Sequence, residues 1–264
     1  MRHFFLVFLL FPFFSSTTYA QDTELDINLA LGFPLEAFKE NTDAVGFGGD
    51  LNLMFPVSRS VPGIHFGLNA MYMVYGFNNQ REVLTAEITA GGAVIDRIDM
   101  PLEIKTSNNI LGGHAVLRFT APLDGVSPFV QGMAGFRRIA TDTRILVVSD
   151  RQFFSDRDDR LIVSQTNLQD WVFSYGGGGG VHINLGGGFG LNLAAHYLLG
   201  GEADYYDADD TEQWEIDFVG ANYDPNNLEA GDLSIAATPK RSRTNMLLVE
   251  LGIHLNFGLI ELED

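Results

Sequence analysis

The sequence predicts an all-β chain, an eight-stranded antiparallel up-and-down barrel that crosses a membrane. Three observations predict it: eight runs of alternating polar and apolar residues, links of alternating length, and a leader-like start. Successive side chains on a strand point to opposite faces, so alternation has period two. In the last run Leu247, Val249, Leu251, Ile253, Leu255 and Phe257 interleave with Leu248, Glu250, Gly252, His254 and Asn256. One face is apolar; the other carries a carboxylate, an imidazole and an amide. A soluble barrel buries the apolar face, whereas a membrane barrel turns it to lipid.

The other seven runs repeat the pattern. Glu24 to Gly32 sets Leu25, Ile27, Leu29 and Leu31 against Asp26, Asn28 and Ala30. Ala44 to Phe55 sets Val45, Phe47, Leu51, Leu53 and Phe55 against Asp50, Asn52 and Met54. Gly63 to Gly76 opposes Ile64, Phe66, Leu68, Ala70, Tyr72 and Val74 to His65, Asn69, Met71 and Met73. A fourth run ends at Thr120, with Leu111, Ala115, Leu117 and Phe119 facing away from His114 and Arg118. Pro128 to Ala140 places Val130, Ala134 and Phe136 opposite Gln131 and Arg137, with Phe129, Met133 and Ile139 on the polar side. Trp171 to Leu185 opposes its aromatic and aliphatic residues to Ser174, His182 and Asn184. Phe189 to Gly200 does the same with Asn192 and His196. Each run is close to or above the roughly 9–11 residues that a tilted strand needs to cross a bilayer.

Link lengths supply the second observation. Residues 56–62, 121–127 and 186–188 are short links, while 77–103, 141–170 and 201–243 are long. Only 33–43 is brief on the long side. Short turns at one end and long loops at the other are the membrane-barrel pattern. Val83 to Ala90 and Ala93 to Met100 flank Gly91-Gly92, and Arg144 to Val148 and Arg160 to Ser164 flank the charged stretch from Asp150 to Asp159, so both links read as hairpins. The segment from Glu202 to Pro239 shows little alternation and reads as irregular. Outward aromatics form two groups. Phe55, Phe66, Phe119, Phe189 and Phe257 lie near the short turns, and Phe33, Phe47, Tyr72, Phe136, Trp171, Phe173 and Tyr197 near the long links.

Residues 1–20 read as a secretory signal peptide: a basic start, an apolar stretch from Phe4 to Phe14, then small and polar residues up to Ala20. The expected organisation is 1–20 signal peptide, 21–258 barrel and 259–264 a short acidic tail. The chain contains no cysteine, which excludes disulfide stapling. Its formal net charge of −18 and its 3 lysines (Lys39, Lys105, Lys240) argue against nucleic acid as a partner, since phosphates need clustered cations.

On these runs, links and leader, the chain resembles the small outer-membrane β-barrel family of the OmpA and OmpX type, over about Glu24 to Phe257. The resemblance implies residence in the bacterial outer membrane, contact with outer-membrane lipid, and insertion by the barrel assembly machinery. That machinery favours a terminal strand ending in an aromatic residue; Phe257 fits, but Gly258 to Asp264 follow it. The implied role is structural or surface-interaction, with an extracellular ligand or surface partner met by long acidic loops. The alternatives are a lipid-modifying enzyme of the deacylase or phospholipase type, then a soluble lipocalin-like binding barrel.

Candidate chemistry is sparse, and no cofactor is expected. Gly176 to Gly180 lacks the Gly-Lys-Ser/Thr of a phosphate loop and reads as room for bulky neighbours across the lumen. Asp26, Asp50, His65, His114, Arg118, Arg137, His182, His196, Glu250 and His254 share the inward parity. They are read as a hydrogen-bonded network in which Asp26, Asp50 and Glu250 pair with Arg118, Arg137 and some imidazoles. A metal site is the lesser reading, because each histidine sits on a different strand and their heights scatter. Asp204, Asp207, Asp209, Asp210 and Glu212 offer hard oxygen donors for calcium, but the EF-hand glycine is missing and a solvated loop is the default. No Gly-x-Ser-x-Gly elbow occurs, and the outward parity holds no histidine; Ser174 and His196 are the residues to test for an enzyme.

Overall fold

The computed structural model describes residues 23–58, 63–90, 93–121, 123, 125–147, 161–207, 216–218, 233–235 and 238–257. The expected signal peptide and acidic tail lie outside them. In chain order the elements are β1 (Glu24–Pro34), α1 (Glu36–Asn41), β2 (Gly46–Pro56), β3 (Ile64–Ala90), β4 (Ala93–Thr120), β5 (Val126–Val147), β6 (Leu161–Gly186) and β7 (Phe189–Gly200). Four short strands follow, β8 (Glu202–Tyr205), β9 (Ile216–Phe218), β10 (Leu233–Ile235) and β11 (Lys240–Arg243), and then β12 (Met246–Asn256).

Strands β1 to β7 and β12 close into one antiparallel barrel, with β1 hydrogen-bonded to both β2 and β12. The closing register runs from Glu24↔Asn256 to Pro34↔Met246. It places Ile27 opposite Ile253 and Leu29 opposite Leu251, so the two apolar faces coincide. The eight alternating runs correspond to these eight strands.

Outside, the barrel is apolar. Leu29 is 62% exposed, Leu68 56%, Leu117 58%, Val130 61% and Leu251 57%. Inside, the residues of the opposite parity are buried, among them Asp26, Asp50, Arg118, His196 and Glu250. Water would expel the first set, and hydrocarbon the second. An exterior of this kind, on a sheet with no free edge, fits a bilayer, where every backbone polar group must be satisfied internally. A soluble barrel with leucines packed inside is thereby overturned. The expected aromatics at both rims lie on this outer face, except that Phe33 is only half exposed.

The two ends differ. At one end the connections are short, and the β6–β7 turn places Gly187 (φ 62°) and Gly188 (φ 78°) in the left-handed region that a two-residue type I′ hairpin requires. At the other end β3 and β4 continue as a ribbon to Ala90↔Ala93, as the sequence predicts. From Gly76 to Ala90 such a ribbon reaches on the order of 45 Å. β5 and β6 likewise remain paired to Leu146↔Leu161.

Two features depart from expectation. The brief link after β1 contains α1, which six residues without a periodic apolar face could not announce. The segment from Glu202 to Pro239 is not wholly irregular: β8 pairs with β11 and β9 with β10. A four-residue strand is too short for alternation to be read from sequence.

Leu29→Arg is expected to destabilise the vesicle-folded protein by about 2–4 kcal/mol, the cost of a cation near the bilayer midplane. Reversible guanidinium unfolding in lipid vesicles measures it; a loss well under 1 kcal/mol would mean this face does not meet hydrocarbon.

Candidate functional site: the packed lumen

An eight-stranded barrel is only wide enough for side chains to fill. Here the filling is layered. At the short-turn end Arg118, which is 1% exposed, is the hub. Its Nη2 is ion-paired to Asp26 Oδ2 at 2.7 Å, its Nη1 lies 3.6 Å from Glu24 Oε2, and its Nε donates to Gln131 Oε1 at 2.8 Å. The guanidinium also sits over the Phe129 ring, 4.4 Å from its centroid. β4 supplies Arg118 and β1 supplies both carboxylates, so this cluster ties strands that are not neighbours in the sheet.

The same end gathers three histidines. The His182 and His254 rings stack at 3.8 Å and 15°. His254 Nδ1 lies 2.7 Å, and His182 Nε2 3.5 Å, from Asp26 Oδ1. His65 Nε2 lies 3.5 Å from Glu24 Oε1. A cavity of about 100 Å³ opens here, lined in part by Glu24, His182, His254 and Asn256.

Midway, amides carry the network. Asp50 accepts from Asn28 (3.1 Å), Asn52 (2.7 Å) and Asn69. Asn192 donates to Asn28 at 2.9 Å, and His114 Nδ1 bonds Asn69 at 3.0 Å. His196 Nε2 lies 3.5 Å from Glu250 Oε2 and 3.3 Å from Gln131 Nε2. Burying so many polar groups without partners would cost several kcal/mol apiece, and pairing removes most of that cost. Room for them comes partly from the glycines of β6. A methyl added at Gly178 would fall 2.5 Å from His196 Nδ1, and one at Gly180 2.7 Å from the Phe129 ring.

Toward the long-loop end the lumen turns apolar, with Met71, Met73, Tyr75, Ile110, Ile139, Leu198, Met246 and Leu248 buried together. α1 closes it. Phe38 inserts edge-on against Tyr205 (5.0 Å, 86°) and Tyr75 (6.2 Å, 67°). Glu36 holds the cap down, accepting from Tyr197 Oη at 2.7 Å and Asn245 Nδ2 at 2.8 Å, at a left-handed φ of 52°.

This is the architecture of a small outer-membrane-type barrel. Strand order, register and reversed polarity carry that statement. No family model and no curated protein matches the chain. Among solved structures it is similar to Neisserial surface protein A, with a TM-score of 0.36 and 9% identity, covering 88% of this chain and 96% of that one. It is also similar to Ail, the attachment invasion locus protein of Yersinia pestis (TM-score 0.32, 10% identity, 89% and 99% covered). Ail in complex with the heparin analogue sucrose octasulfate gives 0.33, 10%, 89% and 98%.

All ten inward-parity candidates are buried in the lumen, but their pairing differs from expectation. Asp26 does meet Arg118 and two imidazoles, and Glu250 meets His196. Asp50 is held by amides and not by a guanidinium. Arg137 has no carboxylate partner among the described residues; it donates to Thr244 O (2.6 Å) and Oγ1 (3.2 Å) and to Met246 Sδ (2.7 Å). The histidines do not all scatter, since His65, His182 and His254 share one end. The sequence placed Gln131 and the asparagines on the inward face without counting them in the charged network, and it left out Glu24, whose parity is the same. Of the acidic loop residues, Asp204 pairs with Arg241 (3.3 Å) and Asp207 with Lys240 (2.8 Å), while Asp209, Asp210 and Glu212 lie outside the described residues.

Arg118→Gln strands two buried carboxylates and is expected to cost about 3–5 kcal/mol, with part recovered in the Asp26→Asn/Arg118→Gln double variant. Guanidinium midpoints in vesicles test it; equal losses in both would show that the pair is not what holds this end. Outside the spans, hydrogen bonds from Tyr197 and then Asn245 hold the Glu36 carboxyl below its ordinary value of 4.5. A depressed folded value means the stabilisation is complete above the ordinary value and is lost as pH falls through the folded one. The thermal-midpoint gap between wild type and Glu36→Gln should therefore be widest near neutrality and shrink on acidification. A gap that does not change with pH would contradict this.

Proposed function

We propose that the chain is a bacterial outer-membrane barrel with a sealed lumen and a structural or surface-interaction role. In this reading residues 1–20 are a cleaved signal, both chain termini of the barrel face the periplasm, and the long links face outward. Outer-membrane lipid and the barrel assembly machinery are its partners within the envelope. An extracellular ligand or surface partner is met by the long acidic segments. The supporting observation is the combination of a leucine-lined exterior with a lumen filled by side chains beyond the small cavity at its short-turn mouth and capped by Phe38. A barrel filled in this way has no open pore and leaves recognition to its long links. The last long link is acidic in sequence: residues 202–239 contain no Lys or Arg. Mobile or exposed segments on a rigid scaffold are where recognition resides.

The enzyme reading loses ground. Ser174 and His196 both face the lumen and not the lipid boundary. Ser174 pairs with Gly200, four positions along β7 from His196, which separates them by about 13 Å.

Protease added to intact cells is expected to cut within 141–170 and 201–243 and to spare the short turns. Detergent-extracted protein should migrate differently on gels before and after heating. Cuts confined to the short turns would invert the orientation, and a polypeptide that stays soluble without detergent would end the proposal.

A further inference from the structure

The cluster at the short-turn mouth combines features that a salt-bridged plug does not require. Glu24, His182 and His254 each present a ligand atom within 4.8 Å of those of the other two. They come from β1, β6 and β12, three strands whose register is set by barrel closure, so the juxtaposition does not depend on a loop. We propose that these residues form a binding site for a divalent transition-metal ion of the zinc class, with Asp26 as the group that fixes the tautomers of the imidazoles.

Four observations carry this. First, the donor types suit such an ion: two imidazoles and one carboxylate are a recognised three-ligand set that leaves a further position for water, and one of the two stacked rings must turn for both to face a single ion. Second, Asp26 Oδ1 lies 2.7 Å from Nδ1 of His254 and 3.5 Å from Nε2 of His182. That leaves Nε2 of His254 and Nδ1 of His182 outside the interactions with Asp26. A carboxylate behind a histidine is the arrangement that fixes tautomer and ring orientation at metal centres. Third, Glu24 Oε2 is buried without a hydrogen-bond partner, although it lies near a charged group. The nearest cation to Glu24, Arg118 Nη1, stays 3.6 Å away, too far to saturate the carboxylate. Fourth, the adjoining cavity of about 100 Å³ is lined by all three residues. Water takes up about 30 Å³ in the liquid, so the space holds an ion with a water ligand.

Glu24 and Asp26 bring two negative charges and Arg118 one positive, so with neutral imidazoles a dication moves the cluster from one net negative charge to one net positive. His65, 3.5 Å from Glu24 Oε1, stands ready as a neighbouring donor.

The test is titration of the untagged mature protein in detergent with Zn2+ by calorimetry and with Co2+ by its visible absorption. One ion per barrel is expected, with imidazole-type cobalt bands. His182→Gln and His254→Gln should each weaken binding by more than about 100-fold, and Asp26→Asn by roughly 10- to 100-fold. Glu24→Gln, which leaves the Asp26–Arg118 pair intact, should also weaken it, while His114→Gln should not. Heat-modifiable gel mobility verifies that every variant is folded. Absence of stoichiometric binding, or binding that survives His182→Gln and His254→Gln in folded protein, overturns the proposal.

Discussion

Everything in this molecule follows from the pairing of β1 with β12. Hydrocarbon offers no partner to a peptide group, so a sheet in a bilayer must have no free edge. Eleven consecutive residue pairs, from Glu24↔Asn256 to Pro34↔Met246, remove the last one. Closing eight strands then dictates a narrow interior, and the narrow interior dictates that side chains fill it. Charge pairing in the lumen is a consequence of that geometry and not an independent feature. Arg118 could not remain 1% exposed without Asp26 and Gln131 around it.

The filling is graded along the axis. Arg118 with its carboxylates and three imidazoles occupies the short-turn end, amides surround Asp50 in the middle, and methionines with aromatic rings fill most of the long-loop end. Amides suit the centre because they donate to the Asp50 carboxylate and accept from one another without bringing a further charge. Methionine suits the upper lumen because an unbranched thioether adapts to irregular space. Met73 and Met246 press against Gly32, where an added methyl would fall 2.6 Å from Met246 and 2.7 Å from Met73. α1 then completes the seal by placing Phe38 among tyrosines, so the barrel is closed by packing and not by a folded-in loop alone.

Where alternation was long enough, the sequence was a sufficient guide. Leu247 to Phe257 declared which side of β12 is apolar, and the opposing asparagines, histidines and acids followed by parity. The two ribbon extensions were legible for the same reason, with Gly91-Gly92 marking one of the turns. Shorter elements left no such trace. α1 spans too few residues for a helical period, and β8 to β11 are each only three or four residues long.

Partner choice in the lumen was beyond the sequence. Parity says that Arg137 and Asp50 point inward, but not that they sit at different heights and never meet. Height depends on strand stagger around the barrel, and stagger is a property of the closed register. The same stagger brings His182 and His254 into stacking contact from strands more than seventy positions apart, while leaving His114 and His196 elsewhere. The chain by itself determined which faces are greasy and how many strands cross, because period two is a local property of each strand. Closure decided which inward residues touch, because only a complete ring of hydrogen bonds assigns every strand its height.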